Sequence, residues 1–531
     1  MQVAKFPMLP DLSLIFLLST DDHGWVDVST EVMKLPAFCG AVPAKADART
    51  PIKYFRDIID DELLEHIVEQ SNIYSVQTDV NKPLKITREE LEQFVGVVFL
   101  MSLVKMPRSR RYWDPSLRFD KVADVMPCRR FEEIKRNIHL NNNQARPEGC
   151  SDRLYKVRPL IDHLTEKFKQ STPSENLCID EQIIPFKGKS SLKQYNPKKP
   201  RKWGYKVFVC STSQGLIQSF EFYTGKILTC PGHTDIGSSG NKVLRILRDM
   251  PIHKWHKVYF DNWFTSEALE ARLWNQGFAS IGTVRMNRLK DCPLPTDKEM
   301  RKGRRGTAVA LQKKSDGVKL TAVKWIDNRS VTLLSTCAGV LPAKNVRRWD
   351  KKESKEITVP CPSVIAHYNA SMGGVDLLDS LIALYRTTIR SKKWYHRIFF
   401  HLFDMAVVQS WLTYKVSTGL PSREAMSLLQ FKQRIATCLT KQGKQIRGKR
   451  GRPSLEVETL LVKKKSRGPS QAVPEMEVRT DIVAHFPIPG EKKGRCKLPN
   501  CKGFSRITCE KCHVFLCLTA KSNCFRLFHS N

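Results

Sequence analysis

Between Leu177 and Val284 the sequence switches repeatedly between two periodicities, and that switching limits the possible folds more than any other feature of the chain. LCIDEQIIPF, KWGYKVFVCST and SFEFYTG are rich in β-branched and aromatic residues and read as three strands. NKVLRILRDM changes to helical spacing, HKVYFDN returns to strand, TSEALEARLWNQG is helical again and ASIGTV is a strand. Three strands, helix, strand, helix, strand predict an α/β fold with an RNase H-like core. In that order Asp180 lies in the first strand and Asp261 ends the fourth, where open α/β sheets collect their ligands.

The flanking sequence adds helices before this core and strands after it. ITREELEQFVGVVFLMSLV opens with a capping box, Thr87 as N-cap with Glu90 three residues on, and Ile86 is placed to staple onto Leu91. Its apolar run from Phe94 to Val104 is too short to cross a bilayer and reads as a buried helix. After Asp291 the chain turns basic, and GTAVALQKK, VKLTAVKWI and SVTLLSTCAG predict a β-rich insertion. YNASMGGVDLLD then resumes the helical pattern and carries Asp376 and Asp379 one turn apart. The expected divisions are an N-terminal segment 1–35, a helical dimerisation and DNA-binding region 36–175, core residues 176–290 and 356–440 around the insertion 291–355, a basic linker 441–490 and a cysteine-rich zinc domain 491–531.

Charge and cysteine usage narrow the functional classes. The chain has 88 Lys plus Arg against 53 Asp plus Glu, a formal net charge of +35, which favours a polyanionic partner such as double-stranded DNA. Its first residues are a poor signal peptide, because Asp11 and two prolines interrupt a short apolar run. Of the 16 cysteines, ten are scattered from Cys39 to Cys438 and six crowd between Cys496 and Cys524, a pattern of a reducing compartment with a metal site rather than of a disulfide framework.

Two sets of residues carry recognisable chemistry. Phosphodiester cleavage by paired divalent ions needs carboxylates on rigid elements, because Mg²⁺ or Mn²⁺ takes oxygen ligands. Asp180, Asp261 and Asp376 meet that need, with Asp379 on the same helical face as Asp376. Singly, each has a bland reading as a helix cap or a macrodipole partner; together, in this strand order, they favour metal. Arg386, Arg390, Lys392 and Lys393 follow closely and are expected to contact DNA phosphates. In the tail, Cys509-x2-Cys512 and Cys496-x4-Cys501 have zinc spacing, and Cys517, Cys524 and His529 bring the candidates to seven, with His513 the candidate eighth. Upstream, Arg450 and Arg452 flank Gly451 in the RGRP core of an AT-hook suited to a narrow minor groove, and with Lys463, Lys464 and Lys465 they form a bipartite nuclear-import pattern.

CIDEQIIPFKGKSSLKQYNPKKPRKWGYKVFV, VYFDNWFTS, YNASMGGVDLLD and CEKCHVFLC…NCFRLFH, in that order, resemble the piggyBac transposase family, and within it the transposable element-derived proteins of animals. The likeness runs from about Pro36 to His529 and leaves about 35 residues ahead of it unmatched. It implies that Asp180, Asp261 and Asp376 are catalytic with Asp379 assisting, and that Trp394 lies near them. It also implies a homodimer acting on inverted-repeat ends with a TTAA target, excision without a footprint, and a zinc-bound tail that holds those ends. The alternative is a domesticated nuclear DNA-binding or regulatory protein that keeps the fold but not the reaction.

Overall fold

The computed structural model describes residues 24–530 apart from 43–47, 198, 200, 226, 352, 422, 444–472, 475 and 482. Arg450, Arg452 and Lys463 to Lys465 therefore lie outside the described residues. The chain divides into a larger unit ending at Gly443 and a smaller one, Lys444–Asn531 with Asp114–Leu117.

In the larger unit, strand β1 (Val26–Asp27) is followed by helices α1 (Pro51–Arg56), α2 (Asp61–Thr78), α3 (Arg88–Leu103), α4 (Asp120–Ala123), α5 (Cys128–Asn137) and α6 (Arg158–Lys169). Strands β2 (Asn176–Pro185), β3 (Gln194–Tyr195), β4 (Trp203–Thr212) and β5 (Ile217–Phe222) come next, then α7 (Ser238–Leu247), β6 (His256–Phe260), α8 (Glu267–Asn275) and β7 (Phe278–Thr283). After α9 (Asp297–Met300), three strands β8 (Ala308–Ser315), β9 (Val318–Ile326) and β10 (Ser330–Ser335) precede the hairpin β11 (Lys344–Asp350) and β12 (Lys355–Cys361). The unit closes with α10 (Ser363–Ser371), α11 (Gly374–Leu384), α12 (Trp394–Thr418) and α13 (Leu428–Leu439).

Ten strands form one mixed sheet in the order β1-β8-β9-β10-β7-β6-β2-β4-β3, with β5 also on β4. The strands β2, β6 and β7 run parallel at its centre, and β4 runs antiparallel to β2. Residues expected as an inserted β-rich module instead extend this sheet: β10 pairs antiparallel with β7 from Leu333↔Thr283 to Ser335↔Ile281. The ladder of β7 would otherwise end in unpaired backbone groups, and β10 satisfies them. The N-terminal segment takes part too, since Trp25 and Val28 are buried and β1 pairs with β8.

The period-2 alternation of β2 sorts its side chains between two cores. Cys178 and Ile184 face a core shared with α1–α3, α11, α12 and α13, while Leu177 and Ile179 face Val243, Leu244, Leu269 and Leu273 of α7 and α8. Helix α3 is buried along most of its length, and a Cβ at Gly96 would sit 2.9 Å from the Thr440 nitrogen, so α3 and the end of α13 approach at backbone distance. Thr87 caps α3 by accepting from Glu90 N (3.3 Å). The capping box, however, is half made: the Glu90 carboxylate turns to Arg130, accepting from Nε and Nη2 at 2.6 Å each, because a guanidinium fork outcompetes a single backbone N–H.

In the smaller unit, a strand Pro487–Arg495 pairs antiparallel with Phe504–Cys509, with an irregularity between Pro489 and Gly494. A short helix, Cys524–Ser530, follows. Its interior consists of Val514, Leu516, Phe525 and Phe528 packed among cysteines.

Candidate functional site

Asp180 and Asp261 are brought together by register. The β2–β6 ladder pairs Ile179 with Phe260, and each aspartate is the next residue on its strand. Both line a cavity of about 710 Å³ together with Glu181, Lys206, Trp263 and Arg285. Asp180 accepts from Glu181 N (2.7 Å) and Asp261 from Trp263 N (2.8 Å). Burial pushes Asp180 up to about 7, opposed by Lys199 and increased by the charges of Asp261 and Asp376. Asp261 is raised by burial and by Glu181. Across the rim, the Lys206 ammonium pairs with Glu181 and lies 4.9 Å from the Trp263 ring centroid.

Asp376 and Asp379 arrive on α11, and a glycine sets how closely that helix approaches. A Cβ at Gly374 would stand 2.1 Å from Thr212 O, so only glycine lets α11 start against the end of β4. Beneath it, Cys178 Sγ donates to Met372 O (2.7 Å). Asp376 is exposed and pairs with Lys199 Nζ at 3.3 Å. The side chain of Asp379 is more enclosed; burial raises its carboxyl against the pull of Arg386 and Lys199, with Asp376 adding to the rise. Lys199 itself resists burial and is held charged by Asp180, Asp376 and Asp379. Thus one lysine couples α11 electrostatically to β2.

Behind the site, α12 fixes β2 and the segment after α11. His401 Nε2 donates to Gln182 Oε1 (2.9 Å), and Arg397 donates to Pro185 O (2.8 Å) and Thr387 O (3.1 Å). Buried Asp404 accepts from Thr387 N (2.8 Å), Thr387 Oγ1 (3.0 Å) and Lys432 Nζ (2.8 Å). Trp394 begins α12 half-buried, its ring centroid 6.3 Å from that of Tyr205.

The four cations expected to meet phosphate are placed differently from one another. Arg390 and Lys392 are exposed. The Lys393 ammonium lies 4.5 Å from the Tyr74 ring centroid, with Tyr74 OH at 3.2 Å and Arg136 O accepting. Arg386 is half-buried; burial lowers its pKa, and Asp379 and Asp404 oppose that fall.

The tail gathers its donors into two sets of four: His485, Cys509, Cys512 and His529; and Cys496, Cys501, Cys517 and Cys524. Within each set the donor atoms lie within 4.8 Å of one another. A tetrahedron with Zn–S near 2.3 Å and Zn–N near 2.0–2.1 Å has edges of about 3.8 Å between sulfurs and about 3.6 Å between sulfur and nitrogen. Cys524 Sγ and Cys501 Sγ are 3.7 Å apart, Cys512 Sγ is 3.6 Å from His529 Nε2, and it is 3.5 Å from His485 Nδ1. The histidines are also oriented from behind. His529 Nδ1 donates to Phe525 O (2.8 Å), and His485 Nε2 faces Asp481 Oδ1 (3.0 Å) and Val478 O (3.1 Å), which leaves the other ring nitrogen for the ion. The residues present fit zinc.

His513 is not the eighth ligand: it is exposed and its backbone has φ 54°. His485 takes that place, and it lies ahead of residue 491, where the cysteine-rich domain was expected to start. Its only sequence signal was the arithmetic of seven donors, one short of two tetrahedra.

A sequence profile for a family described as Transposase IS4 matches residues 50–411. The chain is 32% identical over 476 residues to the human piggyBac transposable element-derived protein 3, covering 88% of this chain and 75% of that protein. It is 29% identical over 459 residues to the human piggyBac transposable element-derived protein 2, covering 86% and 73%. Among solved structures, a piggyBac transposase synaptic complex with hairpin DNA shares the fold at a TM-score of 0.61 and 21% identity, covering 88% of this chain and 95% of that one. Fold and sequence define a protein of the transposase class; the chain belongs to the piggyBac transposase family.

Proposed function

We propose that the chain is a nuclear, metal-dependent DNA transposase or transposase-derived enzyme that cleaves and transfers strands at inverted-repeat ends with a TTAA target. The single observation that carries the reading is the crowding of Asp180, Asp376 and Asp379 around Lys199, with Asp261 beside Asp180 on the neighbouring strand, in a chain of this family. We assign the central sheet with α7, α8 and α11 to an RNase H-like core, residues 36–175 to DNA binding and dimerisation, and the tail to holding the DNA ends.

The donor set suits hard cations, being all carboxylate oxygen with burial and like charge raising Asp180. Asp180, Asp261 and Asp376 would hold Mg²⁺ or Mn²⁺, with Asp379 assisting, and two such ions supply activation of the attacking hydroxyl and stabilisation of the leaving oxygen. The protein's own contribution is placement. Gly374 seats α11, His401 holds Gln182 beside the strand that carries Asp180, and Asp404 fixes the segment that presents Arg390 and Lys392 to the DNA backbone.

The test combines a nicking gel with a salt titration on inverted-repeat duplexes flanked by TTAA. Wild type nicks in Mg²⁺, and Asp376→Asn binds but does not nick. Replacing Arg390 and Lys392 by Ala lowers the salt slope by about one to two units, at roughly 0.9 per lost phosphate contact. An Asp376→Asn protein that cuts as well as wild type removes the catalytic assignment. If wild type binds DNA and cuts no such substrate, the domesticated DNA-binding regulator takes its place.

A further inference from the structure

Lys199 reaches the carboxylates from the connection between β3 and β4. The base of that connection is tied by the β3–β4 pairing of Gln194 with Gly204 and of Tyr195 with Trp203, and by Asn196 N donating to Lys202 O (2.7 Å). The Asn196 side chain donates to Glu181. Beyond that base, the tip reaches α11 through the Lys199 ammonium, 3.3 Å from Asp376 Oδ1. Among the described residues Lys199 is the cation paired with Asp376, and it interacts with Asp180 and Asp379 as well. Enclosed carboxylates without a counter-charge are costly, so a cation beside a site of this composition offsets part of that cost before metal arrives.

We propose that Lys199 is the resident counter-ion of the carboxylate site and that a divalent cation must displace it. The inference rests on the metal reading of Asp180, Asp261 and Asp376. A lysine suits this role because its charge is compact, its stem is flexible, and withdrawal leaves no fork of hydrogen bonds to be broken. An ammonium 3.3 Å from Asp376 Oδ1 and a divalent cation bound by the same carboxylate would be like charges at short range and would repel strongly. Binding of Mg²⁺ or Mn²⁺ is therefore an exchange of one cation for another, and its affinity is set partly by the lysine that leaves.

The experiment is Mn²⁺ uptake by the full, zinc-loaded chain, followed by electron paramagnetic resonance, with Asp180→Asn to identify the signal belonging to this site. Lys199→Met removes the competitor and binds Mn²⁺ more tightly by roughly tenfold or more, an effect that shrinks as ionic strength rises. Lys199→Arg keeps the charge and stays within about threefold of wild type. If wild type binds Mn²⁺ at this site but Lys199→Met binds no tighter, the exchange role is wrong while the metal site stands. If wild type shows no Mn²⁺ that Asp180→Asn abolishes, the metal reading fails and the inference fails with it.

Discussion

The two candidate metal regions use their donors in opposite ways. In the tail, the donors are the interior: Cys496, Cys509, Cys512, Cys517 and Cys524 are buried beside Val514, Leu516 and Phe528, and little else is available to hold the strands together. In the larger unit, the carboxylates stand at the end of a sheet whose cores on both faces are complete without them. A structural ion replaces a hydrophobic core, whereas a reactive site is set on a scaffold that is already stable, so that its own unfavourable electrostatics can be tolerated.

The largest test of that contrast is metal withdrawal. Stripping zinc from the full chain should unfold residues 485–530, since structural zinc supplies on the order of 10 kcal/mol or more to small domains of this kind. Limited proteolysis and hydrogen exchange should find the tail open and α12 still protected. Retention of tail protection after chelation would erase the difference between the regions. Withholding Mg²⁺ should leave the exchange pattern of both cores unchanged.

The scaffold has its own weak point, where it relies on charge. Asp404 and Lys432 are each 3% exposed at the side chain, and Asp404 also holds both Thr387 donors. Asp404→Ala leaves the lysine buried without its partner and should destabilise the larger unit by about 3–5 kcal/mol in chemical denaturation. The tail should keep its zinc in the same variant.

Gly374→Ala tests the seat of α11 with a smaller effect. The added methyl meets Thr212 O, so the helix must shift, at about 1–3 kcal/mol. Nicking should fall much further than stability does, because the shift carries Asp376 and Asp379 with it. Equal, modest losses in both would mean that the site tolerates displacement of α11.

A further test concerns Glu270, on the buried face of α8 with Ser280 Oγ as its hydrogen-bond partner. Burial pushes its carboxyl up to about 8 from 4.5. The folded chain holds the proton more tightly than the unfolded chain, so stability is full below about pH 4.5, falls as pH rises through the interval and levels off above about 8. Glu270→Gln should remove that part of the slope, leaving the variant more stable than wild type at pH 8 in thermal melts. A wild-type slope that survives the substitution would assign it to other groups.

Much of this architecture is visible in the sequence because it is periodic. The strands and helices from Leu177 to Val284 appear with their order intact, since β-branched runs and helical spacing are local signals. Pairing is not local, and it leaves no such mark. Nothing in SVTLLSTCAG says that its strand will dock on β7, and nothing near Trp25 says that the segment will be buried. At the site, Asp180, Asp261 and Asp376 could be singled out by residue type and position. Lys199 could not, because one lysine among the many of KGKSSLKQYNPKKPRK is marked only by the carboxylates that folding brings to it. Nor does the basic run around Lys393 show that its ammonium packs over Tyr74, from a helix distant in sequence.

The order of donors along the tail has a consequence for how the chain responds to zinc supply. Ligands of the first set occur at 485, 509, 512 and 529, and those of the second at 496, 501, 517 and 524, so each set encloses or interrupts the other. Filling one set draws the donors of the other together, and emptying one loosens both. If both sets take zinc, loading should therefore be cooperative: at limiting zinc the population should divide into fully charged and empty molecules rather than half-filled ones. The tail would then behave as a threshold element, in which a narrow change in available zinc alters the number of charged molecules more than it alters any one of them.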